Sequence, residues 1–345
     1  MRRTVLLLTV VGAVLLACTG VVLAQQANQA TPDHAEHAKL KGDPSEQGQG
    51  TDAEKKAQPT AKKVTRADLT ANETSELQAA ESRVGETSFS VMCGFSHRNN
   101  DDPIVYPGLK DEAHSHDFFG NYTTDFESTY QTLRAATVPE GANRATWPDP
   151  DGTNCTRAED KSAYWIPTVK WNDKVLNADI GIIYYRHGNK DPKTVQAFPK
   201  GLKVVTVPNN NVVWTCEGGT FSKTPPTQCS NGQLNVRISF PDCSNGQVDS
   251  ADHRSHLAQS KLPSDGSTTR VCPSTHKIPI PQLSLTLRYD IPTTSGTVSL
   301  SSGTASTMHS DFFDAWDRKT LESLVADCIR GVGPSDIRPD KCSGL

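Results

Sequence analysis

The 345-residue chain contains no G-x-G-x-x-G, no G-x-x-x-x-G-K-[ST] and no G-x-S-x-G. The first two absences, together with the lack of any βαβ rhythm, exclude a fold that cradles nucleotide phosphates, and the third excludes a serine nucleophile on a strand-to-helix elbow. No two cysteines have C-x-x-C spacing, which argues against a zinc ribbon and against a thioredoxin-type redox motif. Neither sign of charge dominates: 35 Lys and Arg stand against 39 Asp and Glu, a net charge of -4. No general affinity for nucleic acid is expected from that balance. Aromatic residues are scarce at 6%, and none precedes Phe89. That asymmetry divides the chain.

The first residues read MRRTVLLLTVVGAVLLACTGVVLAQQ, two arginines, an apolar run and then small residues. This is the layout of a secretory signal, too short and wrongly flanked for a membrane span. We expect cleavage after Ala24, giving a 1–24 signal and a secreted, extracellular product. The alternative is processing ahead of Cys18, which would leave a lipid anchor on that cysteine and hold the protein at the cell surface. Beyond Cys18 there are eight cysteines: Cys93, Cys155, Cys216, Cys229, Cys243, Cys272, Cys328 and Cys342. An even set in an exported chain reads as a framework of four disulfides whose connectivity the sequence leaves open.

From Gln25 to Lys63 there is no Phe, Tyr, Trp, Ile or Val. Such a segment buries too little apolar surface to offset its ordering entropy, so residues 25–65 are expected to be a disordered tether. Leu69, Leu77 and Ala80 lie near helical spacing, with Asp68 or Thr70 as caps, and predict a short lead-in helix within 66–86.

The texture changes at residue 87. Short apolar or alternating runs (SFSVMCGF, AYWIPTVKW, IGIIYY, LKVVTV, NVVWTC, LNVRISF, IPIPQLSLTLRY and GTVSLSS) sit between clusters of Gly, Pro, Asn and Asp. Their length and composition predict strands bounded by turns. Phe312, Trp316, Leu321, Leu324, Val325 and Cys328 repeat at helical spacing near the C-terminus. Residues 87–345 therefore read as one mainly β domain, a large antiparallel sandwich or jelly roll with long loops and a C-terminal helix.

Histidines in this part are few and clumped beside aspartates. HSHDFF carries His114, His116 and Asp117; DSADHRSH carries Asp249, Asp252, His253 and His256; His276 follows, and HSDFF carries His309 and Asp311. In a strand, residues i and i+2 face one side, so the imidazoles of H-x-H can converge. If the segments meet, two chemistries are open. Imidazole and carboxylate ligate zinc or copper, for which His114, His256 and His309 are the candidates. A His–Asp pair also performs general acid–base work, for which His116, Asp117, Asp252 and His253 are the candidates. Asp249, His276, Asp311 and the aromatic Trp165 would contact a substrate, since flat aromatics stack on sugar rings beside carboxylates. The alternative for each is a loop tie or core packing.

Nine motifs in order, from FSHRNNDDPIVYPG through HSHDFFGN, AYWIPT, IIYYR and FPDCSNGQVDSADHRSH to HKIPIPQLSLTLRY and HSDFFDAWD, resemble the family catalogued as domain of unknown function 1996, which is found in secreted bacterial and fungal proteins. The resemblance spans about Phe89 to Cys328 and implies export, with no activity attached. The matching polar positions are His114, His116, Asp117, Asp249, Asp252, His253, His256, His276, His309 and Asp311. Ser244 and Asn245 stand where family members usually carry Trp and Asp. The sequence thus favours a secreted protein acting on extracellular polysaccharide or cell-wall glycan by hydrolysis or elimination. The alternative is a non-catalytic envelope protein that binds glycan, zinc or copper.

Overall fold

Alternation builds the strands. Gln233–Ser239 exposes every second side chain in part and buries Leu234, Val236 and Ile238 between them, the period of two that a half-buried strand requires. Elsewhere whole strands are buried, as in Ala163–Pro167, which marks a strand covered on both faces. The computed structural model describes residues 88–137, 151–331 and 342–344. The expected signal, tether and lead-in helix lie outside the described residues.

The fold is mainly β. Ten strands join one large sheet, labelled here in chain order: β1 Ser88–Asn99, β2 His116–Gly120, β3 Ala163–Pro167, β4 Ala178–Arg186, β5 Lys203–Val205, β6 Val212–Cys216, β7 Gln233–Ser239, β8 Gln282–Asp290, β9 Asp311–Phe313 and β10 Ser343–Gly344. The order across it is β5-β9-β3-β2-β1-β4-β8-β7-β6, and β10 pairs with β1 as the one parallel neighbour among the described residues. Two small sheets of four and three short strands flank it. The main core gathers Phe89, Tyr164, Tyr185, Trp214, Leu285 and Phe312 among many others. A second cluster, with Ile104, Val105, Phe118, Trp165, Val205 and Phe313, covers another face.

The C-terminal helix is shorter than its apolar spacing predicts. Asp311–Phe313 is strand β9, and helix α2 runs only over Arg318–Leu324, after α1 at Tyr130–Ala135. Asp317 caps it by accepting a hydrogen bond from the Thr320 amide at 3.0 Å, and a π-helical turn follows over Val325–Ile329. A buried strand and an amphipathic helix share large apolar residues, and pairing with β3 and β5 decides this one. Four disulfides form: Cys93–Cys155, Cys216–Cys229, Cys243–Cys272 and Cys328–Cys342.

Two polar networks are sealed inside. Asp117 accepts from Arg98 Nε at 2.6 Å and Nη2 at 3.1 Å, and Thr168 Oγ1 donates to it at 2.9 Å. The second is a chain in which Tyr164 donates to Asp160 at 2.8 Å, Tyr185 meets Tyr164 at 2.5 Å, and the Trp316 indole donates to Tyr185 at 3.0 Å. Burial raises the Asp160 carboxyl to about 6, and burial, aided by repulsion from Asp160, raises Asp314 to about 7.

Two outcomes follow from these networks. Asp117→Ala strands the Arg98 guanidinium in the interior and is expected to cost about 3–5 kcal/mol, read as a fall in melting temperature. For Asp314, the folded value lies above the ordinary 3.8, so its protonation favours the fold. That contribution is complete below about pH 4 and vanishes as pH rises through about 7. Relative to wild type, Asp314→Asn should therefore gain about 2 kcal/mol of stability between about pH 5 and pH 8, measured by denaturant titration at each pH.

Candidate metal centre

The two similar segments HSHDFF and HSDFF become neighbours of the same strand. β2 and β9 lie on either side of β3, each antiparallel to it, and so run parallel to one another. Phe118 and Asp311 both pair with Trp165, while Phe119 and Phe312 both pair with Tyr164. Alternation then sorts the side chains. His116 and Phe118 share a face with Trp165, Asp311 and Phe313, and the opposite face carries Asp117, Phe119, Tyr164 and Phe312. His114 and His309 each precede their strands by two residues on that first face, at the same end of the sheet.

The three imidazoles meet there. Ring centroids are 4.2 Å apart for His114 and His116, 5.2 Å for His114 and His309, and 6.1 Å for His116 and His309. One ring nitrogen from each lies within 4.8 Å of the other two, and oxygens of Asp102 and Asp311 lie equally close to a His116 nitrogen. A tetrahedral ion with nitrogen ligands would want these atoms about 3.3 Å apart, so closure takes small ring rotations. His116, His309, Asp102 and Asp311 are fully buried, and His114 is 8% exposed.

Hydrogen bonds fix the tautomers. His116 Nδ1 lies 3.0 Å from the Asp101 carbonyl, and His309 Nδ1 lies 2.8 Å from the Thr307 carbonyl. A carbonyl only accepts, so both Nδ1 atoms carry the proton and both Nε2 atoms present a lone pair. Metal-binding histidines are oriented in this way by an outer partner on the other nitrogen. His116 Nε2 is buried with no hydrogen-bond partner. Burial lowers His116 to about 3, with repulsion from His309 adding to it, and burial lowers His309 to about 4. Both rings are therefore neutral at physiological pH, the state that ligates.

Asp102 was not singled out by the sequence pattern, although it follows Asp101 in NNDDPIV. Its Oδ1 accepts from the Ile104 and Val105 amides, each at 2.9 Å, which makes a local turn, and the Trp165 side chain lies near enough to act on the carboxyl. Burial raises its carboxyl to about 6, and the charge of His253 works against that rise. Arg254 in turn lowers His309. The Asp249–His256 turn therefore lies within electrostatic reach of the cluster.

The other candidate residues sit elsewhere. Asp117 is on the opposite face, held by Arg98. Trp165 is fully buried against Phe118, centroids 5.5 Å apart, and offers no surface for a sugar ring. Asp252 is a turn residue: burial pushes its carboxyl up, but it accepts from Ser250 Oγ at 2.7 Å and the Ser255 amide at 2.8 Å, and such bonds together outweigh burial and hold it below its ordinary range. His253, with φ of 54°, contacts Asp249 at 2.8 Å, and Asp249 also meets Lys203 at 3.5 Å. His256 has both nitrogens engaged, Nδ1 with Ser250 Oγ at 2.9 Å and Nε2 with the Lys203 carbonyl at 2.8 Å, which sets it apart from the three clustered rings. His276 Nε2 meets the Ser255 carbonyl at 2.9 Å and ties this turn down. Three of the six candidate histidines thus converge, and three organise a loop.

The arrangement defines a disulfide-linked, mainly β domain with a buried histidine–aspartate cluster at one end of its large sheet. A family model, Domain of unknown function (DUF1996), matches residues 102–316, and the chain belongs to that family. The matched span runs from Asp102 past Asp311 and so encloses the whole cluster. No curated protein and no solved structure matches the chain. Among the described residues no helix is long and apolar enough to cross a membrane.

His116→Leu separates the binding role from the structural one. Removing a buried, unpartnered nitrogen offsets the lost Nδ1 bond, so the metal-free variant should stay within about 1 kcal/mol of wild type. The rise in melting temperature on adding zinc should disappear, as calorimetry of both proteins would show.

Proposed function

We propose that this protein is an exported metal-binding protein whose His114, His116 and His309 hold one zinc or copper ion. The observation that carries the reading is the meeting of three imidazoles, two of them fixed by backbone carbonyls so that Nε2 points inward. Neutral nitrogen donors of this kind suit zinc and copper, and a nearby carboxylate adds charge compensation. Asp102 and Asp311 are the carboxylates in range.

Four disulfides support an oxidising compartment, where such bonds persist. The geometry favours binding over acid–base work on a glycan. Asp117, the carboxylate beside His116 in sequence, faces away from it, and Asp252 is spent on its own turn. His116 is sealed from solvent.

Metal analysis after purification without chelators tests this. The full chain should carry close to one zinc or copper per molecule, and His114→Ala with His116→Ala should weaken binding at least about 100-fold. A chain that stays free of metal in excess zinc and in excess copper contradicts the reading.

A further inference from the structure

A second site lies apart from the histidines. A cleft of about 940 Å³ opens between the Lys190–Ala197 loop, the Thr269–Cys272 loop and helix α2 with its π-helical turn. Six basic side chains line it: Lys190, Lys193, Arg270, Lys277, Arg318 and Arg330. Among the described residues two acids share the lining, Asp191 and Glu322. In a chain whose net charge is -4, this is a local reversal of sign.

The cations differ in what they are already doing. Lys190 is buried against Asp242 at 2.5 Å, and Asp242 also accepts from Ser260 Oγ at 2.7 Å. Arg270 donates to the same Ser260 Oγ at 2.9 Å, so one network fixes the floor of the cleft. Arg318 shares its charge with Glu322 at 2.8 Å and donates to the Phe198 carbonyl. Asp191 is turned to the Lys193 amide at 3.0 Å, where it caps a short 3-10 turn. Lys193 and Lys277 are exposed, and Arg330 is half-buried with Nε unpartnered. With Asp242 counted beneath, six cations meet three acids among the described residues.

The walls are braced. The Cys243–Cys272 disulfide ends in the cleft, and Cys328–Cys342 holds the turn that leads to Arg330. A braced cleft with excess positive charge is organised before a ligand arrives, which lowers the ordering cost of binding. Guanidinium forks match carboxylate and phosphate groups in a way that single ammonium groups do not.

From this we infer that the cleft binds an anionic polysaccharide, a sugar chain that repeats carboxylate or phosphate groups. Its volume exceeds what one small anion fills and suits several sugar units. Among the described residues no Phe, Tyr or Trp lines it. Single-stranded nucleic acid, which relies on base stacking, is therefore a poor match, and so is a neutral glycan that depends on stacking. The site is independent of the metal reading.

Binding of the purified full chain to a fluorescent oligouronate and to a fluorescent phosphate-bearing glycan tests this by anisotropy. Wild type should bind one or both, with neutral dextran and single-stranded DNA of equal charge as weaker comparators. The arm that binds identifies the anion. Lys193→Glu with Lys277→Glu should weaken that binding at least about tenfold, and raising salt from about 0.05 M to about 0.5 M should do likewise. The variant's melting temperature and metal content should not change. Should it unfold, Arg330→Gln serves in its place, with an expected loss of about threefold. Chelator treatment should leave affinity unchanged. No binding to either anionic glycan, wild-type affinity in the charge-reversed protein, or equal affinity for DNA would each overturn the inference.

Discussion

The pairing of two strands with β3 is the constraint on which the site depends. Because β2 and β9 are both antiparallel to β3, they run parallel to each other with one strand between them. His114 and His116 on one side and His309 and Asp311 on the other are thereby delivered to the same end and the same face. A slip of one residue in either pairing would turn that strand's polar set to the opposite face. The aromatic residues prevent it. Phe119 and Phe312 flank Tyr164 in the main core, while Phe118 and Phe313 pack in the second cluster with Trp165. The two phenylalanines of each segment thus face opposite cores and lock the register that the histidines require.

That division also separates charges from ligands. One face of β2 holds Asp117 in a buried pair with Arg98, a strong contact that fixes the strand. The other holds His116, whose ring burial keeps neutral. Desolvation keeps His116 and His309 uncharged, and an ion entering the cluster would meet lone pairs already oriented by the backbone. Burial that would be costly for a charged group is in this way useful for a ligand.

Much of the fold was legible in the sequence and less of the site. Strands such as LNVRISF announce themselves by alternation, and GTVSLSS and IPIPQLSLTLRY by composition and turn signals. β9 did not, since DFF falls in helical register with Trp316 and Leu321, and only its neighbours make it a strand. Clumping of His and Asp marked six candidate histidines, and only the H-x-H spacing of His114 and His116 set any of them apart. Distinguishing His114, His116 and His309 from His253, His256 and His276 needs long-range pairing, which no local pattern carries. Asp102 was hidden because its first role, capping the turn to Ile104 and Val105, is what an Asp before Pro ordinarily does. Trp165 resembled a sugar platform in composition, yet β3 is central and covered on both faces.

X-ray absorption at the metal edge of the zinc- or copper-loaded full chain tests the central claim most directly. The account predicts a first shell with three imidazole nitrogens at about 2.0–2.1 Å, with the outer-ring scattering characteristic of histidine. A shell of oxygen atoms alone, or a spectrum that His309→Ala leaves unaltered, would contradict it.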